Sequence, residues 1–286
     1  MTTVHSFDHI HRLRASTPRM DELEARLRFL RPNITRPVVH VQDIASGKTT
    51  GLPPDCYEER RVPIDNGRSK ALSLEREGVI LIPHRSRVVD WFDPEEVESV
   101  YTGEVAELVR IQTGAREVLV FDKTVRAQSP GLRNAMQLRE PVSYVHADYT
   151  ETSGPQRVRD LSGLLADERL ARPFAFYNLW RPLNGPVESR PLAYIDASSL
   201  NPDTLVETDL VYTDRIGHIY NQIHDPQHRW LTFPGQDTRE VALFKTFDSR
   251  KQRIARFVTH GAFEDPDASP ASRERTSLEV RTIAFF

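Results

Sequence analysis

Cysteine occurs once in the 286 residues, at Cys56. An intramolecular disulfide is therefore excluded, as is a zinc site built on several thiolates. Long apolar runs are absent too: no stretch approaches the roughly 20 residues that cross a bilayer as a helix. The opening Met1-Thr2-Thr3-Val4-His5 is polar and shows no apolar core of a secretory signal. Nor does charge of one sign dominate. Thirty-eight Lys and Arg face 41 Asp and Glu, a net charge of −3, so electrostatics give no reason to expect nucleic acid or an anionic membrane as partner. Glycine is scarce, 13 residues against 20 prolines, which favours short elements divided by rigid turns over a helix bundle. These absences leave a soluble, cytoplasmic globular protein. Its partner is expected to be a small molecule.

Hydrophobic residues make up 38% and charged residues 28%, ordinary for a chain that folds around a core. The spacing of Met20, Leu23, Leu27 and Leu30 predicts a helix over Pro18–Leu30, followed by extended Pro37–Val41. Val79–Ile82, closed by Pro83, reads as a strand buried on both faces. Asp93 is placed to cap a helix that has Pro94 at its first position, runs through Val97, Val105 and Val109, and stops near Gly114. Glu117–Phe121 follows as a strand.

From about residue 140 short strands recur: Val142–Asp148, Ala175–Trp180, Leu192–Ile195, Leu210–Thr213, Trp230–Phe233, Val241–Phe247, Ile254–Thr259 and Leu278–Phe286. Helices are expected near Gln156–Leu170 and Arg215–His224. Eight strands with two inserted helices predict a mainly β barrel or jelly roll with flanking helices. No linker divides the chain, so a single domain over residues 1–286 is expected. In it, residues 1–130 form a mixed flanking region and residues 131–286 the jelly-roll core.

His146-Ala147-Asp148 is the single His-x-Asp of the sequence. In a strand, alternation points His146, Asp148 and Tyr144 to one face. An imidazole and a carboxylate so held supply two corners of a 2-His-1-carboxylate metal site. His260, ending an apolar segment ahead of the turn from Gly261 to Pro266, is placed to supply the third. Downstream, Arg275 and Ser277 again share a face, and a buried Arg beside a Ser can grip a carboxylate.

This order of His-x-Asp, distant His and Arg-x-Ser resembles the non-haem Fe(II)/2-oxoglutarate dioxygenases. More closely, it is similar to the family of fungal gibberellin desaturase-like proteins, the cephamycin 7α-hydroxylation component and fungal endoperoxide-forming oxygenases. The matching pieces include Val145-His146-Ala147-Asp148-Tyr149-Thr150, Asn178-Leu179-Trp180-Arg181-Pro182-Leu183, Arg229-Trp230, Leu243-Phe244-Lys245, His260-Gly261-Ala262-Phe263 and Glu279-Val280-Arg281. They fall within residues 75–286.

The resemblance implies a double-stranded β-helix, cupin-like core. It also implies Fe(II) on His146, Asp148 and His260, with 2-oxoglutarate and O2 as cosubstrates. The far carboxylate of 2-oxoglutarate would sit on Arg275 and Ser277, or on Arg281 instead. The implied reaction is hydroxylation or desaturation of a small specialised metabolite, with 2-oxoglutarate going to succinate and CO2. Asn178, Trp180, Arg181 and Tyr144 are candidates to line or support the site, with Arg181 facing either a substrate carboxylate or Asp196. Lys245 and Asp248 read as a structural ion pair, and His84, His218 and His224 as non-ligands. The competing classes are a cupin-like metal isomerase or lyase, and a barrel that binds a small molecule without catalysis.

Overall fold

The computed structural model describes residues 22–43, 48–49 and 51–286. In chain order its strands are β1 (Glu22–Leu30), β2 (Val38–Asp43), β3 (Lys48–Thr49), β4 (Tyr57–Asn66), β5 (Val79–Pro83), β6 (Glu117–Ala127), β7 (His146–Ala147) and β8 (Phe174–Pro182). There follow β9 (Leu192–Ile195), β10 (Leu205–Val211), β11 (Ile216–Gln222), β12 (Trp230–Thr232), β13 (Glu240–Asp248), β14 (His260–Ala262) and β15 (Thr276–Phe285). The helices are α1 (Pro94–Glu96), α2 (Thr102–Thr113), α3 (Pro130–Met136), α4 (Ser153–Ser162) and α5 (Ala166–Leu170).

Two sheets carry these strands. One has the order β5-β13-β8-β15-β6, and the other contains the run β12-β9-β14-β7. Through β6, β7, β8 and β9, and again through β12, β13, β14 and β15, successive strands change sheet. That alternation is the winding of a jelly roll. The second sheet is extended by β4 and β1 at one end and by β11, β10, β2 and β3 at the other.

Covering on both faces explains why every residue of β8 is buried. On the inner face Trp180 joins Phe244, Tyr194 and Trp230 between the sheets. On the outer face Tyr177 and Leu179 pack with Val105 and Val109 of α2. The start of that helical region is as its sequence predicts: Asp93 accepts bonds from the Glu95 and Glu96 amides, and Gly114 closes α2 in the left-handed region at φ +70°.

Four expected elements come out differently, and the first is the strand expected over Val142–Asp148, of which only β7 pairs as a strand while Tyr144 makes an isolated bridge to Arg28. The helix expected over Pro18–Leu30 is strand β1 from Glu22 onward, and residues 18–21 lie outside the described residues. Ala25, Leu27 and Phe29 alternate inward with Glu24, Arg26 and Arg28 between them, and nine residues pair with β4. That period-two pattern coexists in the sequence with a helical one, and a partner strand decides between them. The helix expected over Arg215–His224 is β11, the return arm of a hairpin with β10, as β-branched Ile216 and Ile219 favour.

Ile254–Thr259 forms no strand. It is an irregular segment whose Ala255 and Val258 amides donate to Glu75 and Lys245 carbonyls. Three further elements, β3, β4 and α3, are not anticipated by the sequence reading, and the first sheet draws β5 and β6 from before residue 131.

Lys245 and Asp248 form the expected ion pair, Nζ to Oδ2 at 3.0 Å, with both side chains fully buried. A register shift in β13 between Lys245 and Phe247 brings the two together. Burial alone would push the Asp248 carboxyl up. Hydrogen bonds from Arg250 and the Lys245 charge outweigh it and hold the carboxyl below its ordinary value. Its folded pKa being depressed, this group stabilises the fold above the unfolded carboxylate range, and the contribution is lost as pH falls toward the folded value. Asp248→Ala leaves the buried Lys245 ammonium to the more distant and half-exposed Glu75, at 3.6 Å. Chemical denaturation is expected to show a loss of about 3–5 kcal/mol, most of it recovered in Lys245→Met/Asp248→Leu.

Candidate metal centre

His146 on β7 and His260 on β14 are directly opposed in the antiparallel register. Directly opposed residues share a face, and the two imidazoles lie inside with ring centroids 4.6 Å apart. Each ring is oriented by its own main chain, His146 Nδ1 to the Tyr144 carbonyl at 3.0 Å and His260 Nδ1 to the Val258 carbonyl at 3.2 Å. With Nδ1 the protonated donor, Nε2 keeps a lone pair on both rings, the arrangement that metal-binding histidines use. Burial pushes the His146 pKa down to about 4, helped by His260 and opposed by Asp148. At neutral pH that ring is uncharged, as ligation requires.

Asp148 lies two residues beyond His146, its Oδ1 3.9 Å from His146 Nε2. The Asn178 amide of β8 donates to its Oδ2 at 2.6 Å, and Arg281 Nη2 of β15 lies 3.1 Å from its Oδ1. Burial would raise this carboxyl, but Arg281 and the two imidazoles hold it well below the usual carboxylate range. Two imidazole nitrogens and an ionised carboxylate on neighbouring extended segments fit a divalent first-row metal.

Alternation along β15 brings Ser277, Glu279 and Arg281 to the face that also carries Ile283 and Phe285, while Leu278 and Val280 face α2. Arg275, immediately before β15, is buried with its guanidinium 5.2 Å over the Trp180 ring and bonded to the Arg190 carbonyl. Its Nε, the Ser277 Oγ and the Tyr194 hydroxyl are buried without a hydrogen-bond partner among the described residues. Burial, with Arg126 and Arg190 nearby, pushes the Arg275 pKa down to about 9, so it stays cationic at neutral pH. Orphaned donors around an unneutralised guanidinium are suited to an incoming carboxylate.

Arg281 is placed otherwise, with Asp148, Asp122 at 3.3 Å and Glu279 at 2.8 Å around it. These carboxylates raise its pKa well above the ordinary value against the opposing effect of burial. A cavity of about 1410 Å³ opens onto Tyr144, His146, Asp148 and Arg281.

Curated relatives share this chain over most of its length. "Hydroxylase/desaturase CTB9" of Cercospora beticola is 29% identical over 268 residues, covering 85% of this chain and 82% of the relative. "Alpha-ketoglutarate-dependent dioxygenase phiK" of Fungal sp. (strain ATCC 74256) is 29% identical over 236 residues, covering 79% and 84%. A family model described as "Oxidoreductase/YMDC permease-like domain" matches residues 27–285. The chain belongs to this oxidoreductase family, among its Fe(II)/2-oxoglutarate-dependent hydroxylase/desaturases. The cofactors of the dioxygenase are Fe(II) and 2-oxoglutarate. Its fold is that of the solved "iron and alpha-ketoglutarate-dependent endoperoxidase NvfI", with a TM-score of 0.78 at 22% identity, covering 93% of this chain and 98% of that one.

Not every candidate residue of the dioxygenase reaches the centre. Arg181 faces away from it, on the outer side of the β8 sheet. Its guanidinium lies 4.6 Å over Trp91 and 5.3 Å over Tyr101 and donates to the His84 and Thr238 carbonyls. It directly follows Trp180 in the strand, and that reverses its face. Asp196, its other expected partner, is taken by Arg229 at 2.8 Å.

His84 lies beside Tyr101, and His224 packs edge-on to Phe29. His218 groups with Glu207 and Asp209 on the β10–β11 hairpin, ligand atoms within 4.8 Å of one another. There its Nδ1 is hydrogen-bonded to Asp209 at 2.9 Å, and Arg36 sits 3.6 Å from the same carboxylate, so these side chains already engage one another.

Sequence reasoning missed Asp122, Glu279 and Tyr194. The alternation Arg275, Ser277, Glu279, Arg281 already carried the signal for Glu279.

The spacing of β7 and β14 depends on Gly261. A Cβ there would lie 2.9 Å from the Tyr144 carbonyl oxygen, a main-chain atom that yields only if the strands part. Gly261→Ala is expected to lower stability by about 1–3 kcal/mol in denaturant unfolding. Wild-type stability would show that the strands separate freely.

Proposed function

We propose that His146, Asp148 and His260 hold the Fe(II) of this dioxygenase, and that Arg275 with Ser277 anchors the far carboxylate of 2-oxoglutarate. The enzyme oxidises a C–H bond of a small specialised metabolite, by hydroxylation or desaturation. The observation that carries the assignment is the direct register opposition of His146 and His260 beside an Asp148 carboxylate held ionised by Arg281. Arg275 is preferred over Arg281 as anchor because Arg281 is already surrounded by three carboxylates.

When bound, iron and 2-oxoglutarate supply the oxidising power, with O2 consumed as 2-oxoglutarate goes to succinate and CO2. The protein's part is position and environment. Asn178 and Arg281 fix which Asp148 oxygen faces inward, and the main-chain bonds to Nδ1 fix both imidazole planes. Phe244, 4.7 Å from His260, and Tyr194, 6.4 Å from it, wall the centre on the side of Arg275 and exclude water there. Tyr144, stacked on Tyr57 at 5.2 Å and 5.3 Å from His146, faces the cavity and forms its wall beside the metal. Trp180 orients the Arg275 guanidinium by stacking.

Anaerobic loading with Fe(II) followed by 2-oxoglutarate is expected to give a visible metal-to-ligand charge-transfer band. His146→Ala, Asp148→Ala and His260→Ala should each lose iron while keeping the fold by circular dichroism. Stoichiometric iron in any of the three would remove that residue from the ligand set. Arg275→Ala should retain iron and bind 2-oxoglutarate roughly 30-fold or more weaker, matching about 2 kcal/mol or more for a buried charge-assisted pair. If Arg281→Ala produces that effect and Arg275→Ala does not, the anchor is Arg281.

A further inference from the structure

The arginines of the cavity outnumber what the metal centre uses. Eight arginines stand against four carboxylates among the described residues of its lining. Some are committed: Arg281 to Asp122 and Asp148, Arg190 to Glu264 at 2.6 Å and Glu140 at 3.5 Å, and Arg133 to the Ala127 and Gln128 carbonyls. The remaining wall carboxylate, Asp160, accepts from the Gln156 amide at 2.8 Å. Arg28, Arg139 and Arg157 are each half-buried and are left with no carboxylate partner among the described residues.

Two of these three are held ready for a ligand. Arg28 lies 5.3 Å over Tyr57, and Arg157 lies 5.1 Å over Phe121. Stacking occupies the flat face of a guanidinium and leaves its edge of N–H donors free. Arg139 bridges through its main chain to Arg126, whose single side-chain bond goes to the Glu140 carbonyl. Arg126 and Arg139 are thus neighbours whose positive charges oppose each other, with Glu279 and Asp148 acting on Arg126 and no carboxylate paired to Arg139 among the described residues. Like charges gathered on a concave, partly dry wall repel, and an oxyanion relieves that repulsion while accepting forked hydrogen bonds.

We propose that the substrate of this enzyme is an anionic small molecule, recognised in the cavity through carboxylate or phosphate groups by Arg28, Arg139 and Arg157. The inference rests on the dioxygenase reading above and adds the charge class of the substrate. At about 1410 Å³ the cavity has room for a ligand larger than those of ordinary small-molecule pockets, which measure 300–1,000 Å³ or so.

The test is thermal unfolding of the full chain with mono-, di- and tricarboxylic acids, each beside its methyl ester and beside the phosphate monoester of the corresponding alcohol. Acids or phosphate monoesters are expected to raise the unfolding temperature, less so at high salt, while the esters do not. Whichever arm dominates names the oxyanion. The shift should fall by more than half in Arg139→Gln/Arg157→Gln, recover in part with Lys at both positions, and persist in Arg275→Ala. Without ligand the double Gln variant should unfold at or above the wild-type temperature.

Esters as effective as acids, an undiminished shift in the double variant, or no response to any anion would overturn the proposal. The charge-transfer band, recorded on the same preparations, separates the two levels. A band with silent anions defeats the substrate class alone, whereas no band in wild type defeats the reading beneath it.

Discussion

A carboxylate buried beside two imidazoles is the constraint around which the rest is arranged. An ionised Asp148 in that position is untenable without compensation. The compensation comes from the opposite sheet, Arg281 at 3.1 Å and the Asn178 amide at 2.6 Å. Arg281 needs neutralising in turn, and Asp122 and Glu279 provide it from the same sheet. Three carboxylates thus surround Arg281 beside the two imidazoles, an arrangement that suits a site meant to receive a divalent cation. Arg275, set apart over Trp180, keeps its charge for something the chain does not supply.

The jelly roll is what makes such an arrangement available. Strands that change sheet at nearly every step place residues far apart in sequence on two inner faces that look at each other. His146 and His260 meet across one ladder, and Asn178 pairs in register with Arg281 across another. Each pair is fixed by backbone hydrogen bonding, so the side chains approach the metal from rigid strands. The cost is a barrel interior with polar groups, met by hydrophobic packing elsewhere: Phe174, Phe176, Phe247 and Phe285 fill the end of the barrel past Arg281.

Much of this is legible in the sequence, and the limits are physical. His146 and Asp148 are readable because the period of a strand is two and the pair is local. His260 is readable only by its place at the end of an apolar segment. The segment before it is not the strand that its apolar residues suggest, because buried loops and strands both need such residues. Glu22–Leu30 and Arg215–His224 fail for a related reason. Each carries a spacing compatible with a helix, and pairing with β4 or β10 overrides it. Arg181 shows the sharpest limit. It stands inside the matching stretch Asn178–Leu183, yet one residue of displacement from Trp180 sends it to the outer face and into cation–π contact with Trp91 and Tyr101.

Charge is also partitioned by depth, in a way that overall composition hides. A net charge of −3 reads as neutrality. Yet Asp122 of β6 and Glu279 of β15 cluster with Asp148 around Arg281, while arginines from β1, α4 and the segment after α3 line the wider cavity. Such a division polarises the chamber, with a cation favoured at its floor and an anion along its wall. Arg281 keeps Asp148 ionised for a metal, while the arginines of the wall are left to be answered by a ligand. Composition averages over that geometry, and only the fold separates its two halves.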